Sequence, residues 1–125
     1  MTLALGIDPG TATTGYGLVR LMRDGELVAV SYGVISTPKD ASASVRLEML
    51  FDQLNDLIKE NKPDTAAVEK LFFQSNVKTA LAVGQARGVI MLCLQKAGIE
   101  PFEYTPNEVK QAVAGYGSAD KRQVQ

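Results

Sequence analysis

The 125-residue sequence predicts an α/β fold, a ribbon of three antiparallel strands followed by two parallel crossover strands in one mixed sheet, with helices on both faces. Two observations carry this. The N-terminal third holds three strand-like runs broken by turn residues, whereas the remainder alternates helix-period stretches with short apolar runs. No repeat, low-complexity tract or dividing linker interrupts the chain. A composition that is 46% hydrophobic suits a single domain over residues 1–125 with a real core.

The elements follow in order. Leu3, Leu5 and Ile7 lead the first strand, Thr2 to Asp8, into Pro9-Gly10, which ends it. Thr14 to Leu21 reads as the second strand. The Arg23-Asp24-Gly25 turn feeds a third at Leu27 to Ser36 and completes an antiparallel meander. Leu47, Leu50, Phe51, Leu54, Leu57 and Ile58 recur at the helical period, so they form the buried stripe of a helix that Lys62-Pro63-Asp64 stops. Thr65 to Glu69 is a short buried strand ending in an acid. A second helix is expected over Asn76 to Ala97, with Gly98 at its C′ position, and Ile99 to Tyr104 is the last strand. Thr105-Pro106-Asn107-Glu108 combines an N-cap, a first-turn proline and a capping-box acid, which starts a third helix ending at Gly115. Ser118-Ala119-Asp120 begins a fourth.

Composition narrows the chemistry. The sequence contains no histidine, so imidazole general bases and His-ligated zinc are excluded; hydrolysis would have to rest on carboxylates, hydroxyls, lysines or metals. Cys93 is the single cysteine and allows no internal disulfide, which fits a reducing compartment. The longest uninterrupted apolar run is too short to span a membrane, and no basic-then-apolar leader opens the sequence. The expectation is a soluble, cytoplasmic protein with no membrane partner. A net charge of −1 gives no global sign of nucleic-acid binding, although a local basic patch is compatible with it.

Two acids stand out. Asp8 ends the first strand and Glu69 the strand after the first crossover. Each has an ordinary explanation: Asp-Pro-Gly is common turn chemistry, and Glu69 can pair with Lys70. If the two strands are parallel neighbours, however, both carboxylates emerge at one sheet edge, where they repel unless a cation or a proton intervenes. Mg²⁺ binds through one or two carboxylates plus waters and substrate phosphate oxygens. Such a site suits phosphodiester hydrolysis.

Four segments, GIDPGTATTGYG, AAVEKLFFQSN, VGQARG and YTPNEVKQAVAGYGSADKRQVQ, closely resemble the RuvC family of Holliday-junction resolvases, in order and over almost the whole chain. The resemblance implies a ribonuclease H-like nuclease domain that acts as a homodimer. It would cut two strands of four-way junction DNA in recombination and repair, beside the RuvA-RuvB branch-migration complex. Asp8 and Glu69 match the family's first two metal-binding acids, which implies Mg²⁺, with Mn²⁺ as a substitute, at two ions per site. The family's remaining acids come from a C-terminal helix with a DAADA-like pattern. The sequence ends at Gln125, before such a helix, so half a metal site and a catalytically incomplete chain are expected.

Further candidates surround these acids. Phe72 and Phe73 follow Glu69; the resemblance places in this loop an aromatic that stacks on an unpaired base, and either ring fits, the other being core. Lys78, Lys110 and Lys121 are candidate phosphate contacts, and the resemblance puts Lys110 and Lys121 nearest the scissile strand. The second helix is apolar on more than one face, with Ala80, Gly84 and Gly88 small enough for close helix approach. It is either a dimer interface or a helix buried within the monomer. Three rival readings remain. An actin-like ATPase would need a second phosphate loop and a second domain. A related nuclease acting on RNA shares the Asp8 turn but fits the VGQARG and Lys110 to Gly117 segments poorly. A non-catalytic junction-binding fragment fits the missing acids.

Overall fold

In the computed structural model, residues 2–10, 12–69 and 77–104 are described. They form β1 (Thr2–Asp8), β2 (Thr13–Leu21), β3 (Leu27–Ser36), α1 (Ala43–Asn61), β4 (Thr65–Glu69), α2 (Val77–Lys96) and β5 (Pro101–Tyr104). The five strands lie in the order β3-β2-β1-β4-β5. β1, β2 and β3 are the expected antiparallel meander, whereas β4 runs parallel to β1 and β5 parallel to β4.

The hairpin between β2 and β3 turns where the sequence places it. Gly25 takes a φ of 88°, and the Asp24 carboxylate accepts the Glu26 N–H at 3.0 Å. α1 begins at Ser42, whose hydroxyl accepts the Val45 N–H at 3.4 Å, and ends on Lys62 in the left-handed region, with its N–H bonded to the Ile58 carbonyl at 2.8 Å. Asp64 then ties β4 to β1 twice. Its N–H donates to the Leu3 carbonyl and its carboxylate accepts the Leu3 N–H, each at 2.8 Å. α2 closes on a Schellman motif: Gly98 donates to Gln95 and Ile99 to Leu94, at 3.0 and 2.9 Å. This cap occupies Ile99, so β5 starts at Pro101, two residues later than the sequence suggests.

Alternation along β1 sends Leu3, Leu5 and Ile7 to one face, where they meet Leu18, Ile35, Ala66 and Val68. Leu50, Leu54 and Ile58 of α1 and Ala86, Ile90, Cys93 and Leu94 of α2 close over them. By length and composition α2 could cross a membrane, but these four residues make it a core helix of the sheet. Both described helices pack on this face. The helices expected from Thr105 and Ser118 lie outside the described residues. Among the described residues, the opposite face carries strands alone and exposes Tyr32, Val34 and Phe102.

Candidate active site

The parallel register of β1 and β4 decides the geometry. Ile7 pairs with Val68, so the next residues, Asp8 and Glu69, stand side by side where the two strands end. Neighbouring strands lie about 4.8 Å apart, close enough for both carboxylates to serve one cation. Both acids sit out of phase with the buried set Leu5, Ile7, Ala66 and Val68, which puts them on the open face of the sheet; Asp8 is exposed and Glu69 half-buried.

The neighbours of the acids are small for a reason. Asp8 pairs with Gly15, where an added Cβ would touch the Asp8 Cβ at 3.9 Å. Together with Gly6, Gly17 and Ala67, the two acids line a hollow of 290 Å³. Bare backbone on the floor of this hollow leaves room for a hydrated ion or a phosphate beside the carboxylates.

Two adjacent hard oxygen donors over an open hollow fit Mg²⁺ or Mn²⁺, which use few carboxylates, and do not fit a soft or imidazole-seeking metal. Among the described residues no group of three or more metal-binding side chains gathers; Asp8 and Glu69 stand as a pair. Cys93 is no candidate: it is buried in the core, and burial pushes its thiol pKa up.

The other expected residues are placed as follows. Lys78 lies in the first turn of α2, exposed, just after the segment that leaves Glu69. Phe72, Phe73, Lys110 and Lys121 lie outside the described residues. Of the small-residue stripe on α2, Gly84 is half-buried and Gly88 exposed, but Ala80 is buried within the chain at 7% exposure. The exposed large apolar side chains of α2 are Val77, Leu81 and Leu92, spaced for one side of the helix, which Gly88 shares.

One group of residues near the site carries no signal in the sequence. The carbonyl of Ala12, in the loop after Asp8, accepts the Thr37 N–H at 3.1 Å, and the Thr37 hydroxyl accepts Arg46 Nε at 3.1 Å. Contacts between residues 25 and 9 positions apart have no periodicity to betray them.

Residues 4–125 match the family described as crossover junction endodeoxyribonuclease RuvC. The protein of that name from Chloroflexus aggregans is 57% identical over 123 residues, which are 98% of this chain and 74% of that protein. A Thermus thermophilus RuvC structure superposes with a TM-score of 0.80 at 30% identity, covering 92% of this chain and 70% of that one. A T. thermophilus RuvC in complex with Holliday junction substrate gives 0.81 at 27% identity, covering 91% and 71%. The five-stranded sheet with its paired strand-end acids is thus a ribonuclease H-like fold, and the chain belongs to the RuvC family of crossover junction endodeoxyribonucleases.

Proposed function

We propose that this chain is the nuclease domain of a Holliday-junction resolvase, hydrolysing phosphodiester bonds in two opposed strands of a four-way DNA junction, with Asp8 and Glu69 as its metal-holding acids. Family membership supports the reaction. The single observation that supports the site is the register of β1 and β4, which sets two carboxylates side by side above a glycine-floored hollow.

The bound group would be Mg²⁺, with Mn²⁺ as a substitute and two ions per site; when bound it supplies activation of water and stabilisation of the departing oxygen. The protein's own part is positional. Rigid strand ends hold the acids, the glycine floor admits the phosphate, and Lys78, exposed in the first turn of α2, offers a point charge for the DNA backbone. Lys110 and Lys121 would contact phosphates nearest the scissile strand, and Phe72 or Phe73 would stack on a base unpaired at the crossover. Two equivalent cuts call for two sites, so the working form is a homodimer joined through the exposed face of α2. It would act in the cytoplasm, following the RuvA-RuvB branch-migration complex.

The test separates binding from chemistry in the full-length protein. Asp8→Asn and Glu69→Gln should each abolish cleavage of a mobile four-way junction in Mg²⁺ while leaving junction affinity, measured in EDTA, unchanged. Cutting by either variant at near the wild-type rate overturns the assignment of that residue.

A further inference from the structure

We propose that Arg46 and Thr37 act as positioning residues for the candidate metal site, holding the loop that follows Asp8 through a hydrogen-bonded relay from the first turn of α1. This rests on the reading of Asp8 and Glu69 as metal-holding acids and names what sets their affinity.

The loop between β1 and β2 starts at Asp8 and is short: pairing ends at Asp8 with Gly15, and Thr13 already pairs with Ser36 of β3. Gly10 and Thr13 approach closely across it. A Cβ at Gly10 would lie 2.1 Å from the Thr13 carbonyl oxygen, so the chain folds back on itself with no space to spare. The Ala12 carbonyl is the loop's fixed point. It accepts the Thr37 N–H at 3.1 Å and, more weakly, the Thr37 hydroxyl at 3.5 Å. Because that hydroxyl donates to Ala12, its lone pairs face away, and one accepts Arg46 Nε at 3.1 Å. A hydroxyl that both donates and accepts is polarised in each direction, which strengthens both bonds. Arg46 is itself anchored: its N–H donates to Ser42, the N-cap of α1, at 3.0 Å, and with Thr37 and Ala12 its side chain lines a cavity of 60 Å³ between α1, α2 and the sheet.

The relay thus runs from a rigid helix, through a strand end, to a loop four residues beyond Asp8. A carboxylate that must share an ion with Glu69 tolerates little displacement, and residues that orient metal ligands typically govern affinity by roughly 10- to 100-fold.

The experiment uses the full-length protein and Mn²⁺ as probe. Its binding is measured by calorimetry without DNA, alongside the Mg²⁺ dependence of cleavage. Thr37→Val and Arg46→Met should each weaken Mn²⁺ binding roughly tenfold. They should also raise the Mg²⁺ concentration for half-maximal cleavage by the same factor, with the rate recovering at saturating Mg²⁺. Thr37→Ser, which keeps the hydroxyl, should stay near wild type, and the double variant should be no worse than either single one. If Arg46→Met fails to fold, Thr37→Val carries the test. Unchanged Mn²⁺ affinity in folded Thr37→Val overturns the relay. Undiminished Mn²⁺ binding in Asp8→Asn instead overturns the metal reading on which the relay depends.

Discussion

A Cβ on Gly10 would stand 2.1 Å from a backbone oxygen, a distance no side-chain adjustment relieves, because the obstacle is main chain. Gly10→Ala should therefore displace the loop and cost about 1–3 kcal/mol, as an overpacked site does. A thermal melt checks it, and an unchanged melting temperature would mean that the loop can relax without loss. At this scale the sequence is informative where chemistry depends on type and spacing. Asp8 and Glu69 each end a strand whose alternation is plain, so their meeting needed only the assumption that β1 and β4 are parallel neighbours, and they are. Arg46, Thr37 and Ala80 are different. The first two meet through hydrogen bonds between residues far apart in the sequence, and Ala80 is small enough that helical spacing reads the same whether it faces the chain or a partner.

Elements were legible wherever local signals agree. Lys62 stops α1 where the sequence places its end, and Gly98 closes α2 through two bonds that glycine's left-handed backbone permits. Gly98 has a φ of 78° and nothing within 4 Å of a notional Cβ, so Gly98→Ala should meet no clash and pay only the backbone penalty, about 1–2 kcal/mol. Denaturant unfolding measures this, and no loss of stability in Gly98→Ala would mean that the cap does not require a left-handed residue there. The start of β5 escaped the sequence because Ile99 satisfies two roles at once, donating to Leu94 and burying its side chain, and only the cap geometry shows which one wins. β5 is then fastened to α2 by the Arg87–Glu103 ion pair, one residue before Tyr104, the register partner of Glu69. Half-exposed as it is, such a pair adds little stability.

The whole molecule divides its labour between the two faces of one sheet. One face holds the described core, with Leu54, Ile90 and Leu94 fully buried; the other holds the acids over Gly6, Gly15, Gly17 and Ala67. That division follows from strand alternation, since along β1 the residues in phase with Leu5 pack in the core and those in phase with Asp8 lie on the open face. Substitutions on the two faces should accordingly fail in opposite ways. Leu54→Ala opens a cavity at 0% exposure and should cost about 2–5 kcal/mol. Against a total stability of about 5–15 kcal/mol, that would lower the melting temperature by many degrees and impair cleavage only by depleting folded protein. Gly17→Ala should do the reverse. A Cβ there meets nothing within 4 Å, and alanine is the better strand residue by about 0.5–1 kcal/mol, so the melting temperature should hold or rise. The new methyl, however, enters the hollow beneath Asp8 and Glu69, the approach proposed for the phosphate, so cleavage per folded molecule should fall. Parallel melts and single-turnover junction cleavage on the two variants test the division directly. A Gly17→Ala protein that melts several degrees early would show that the open face is packed as tightly as the core.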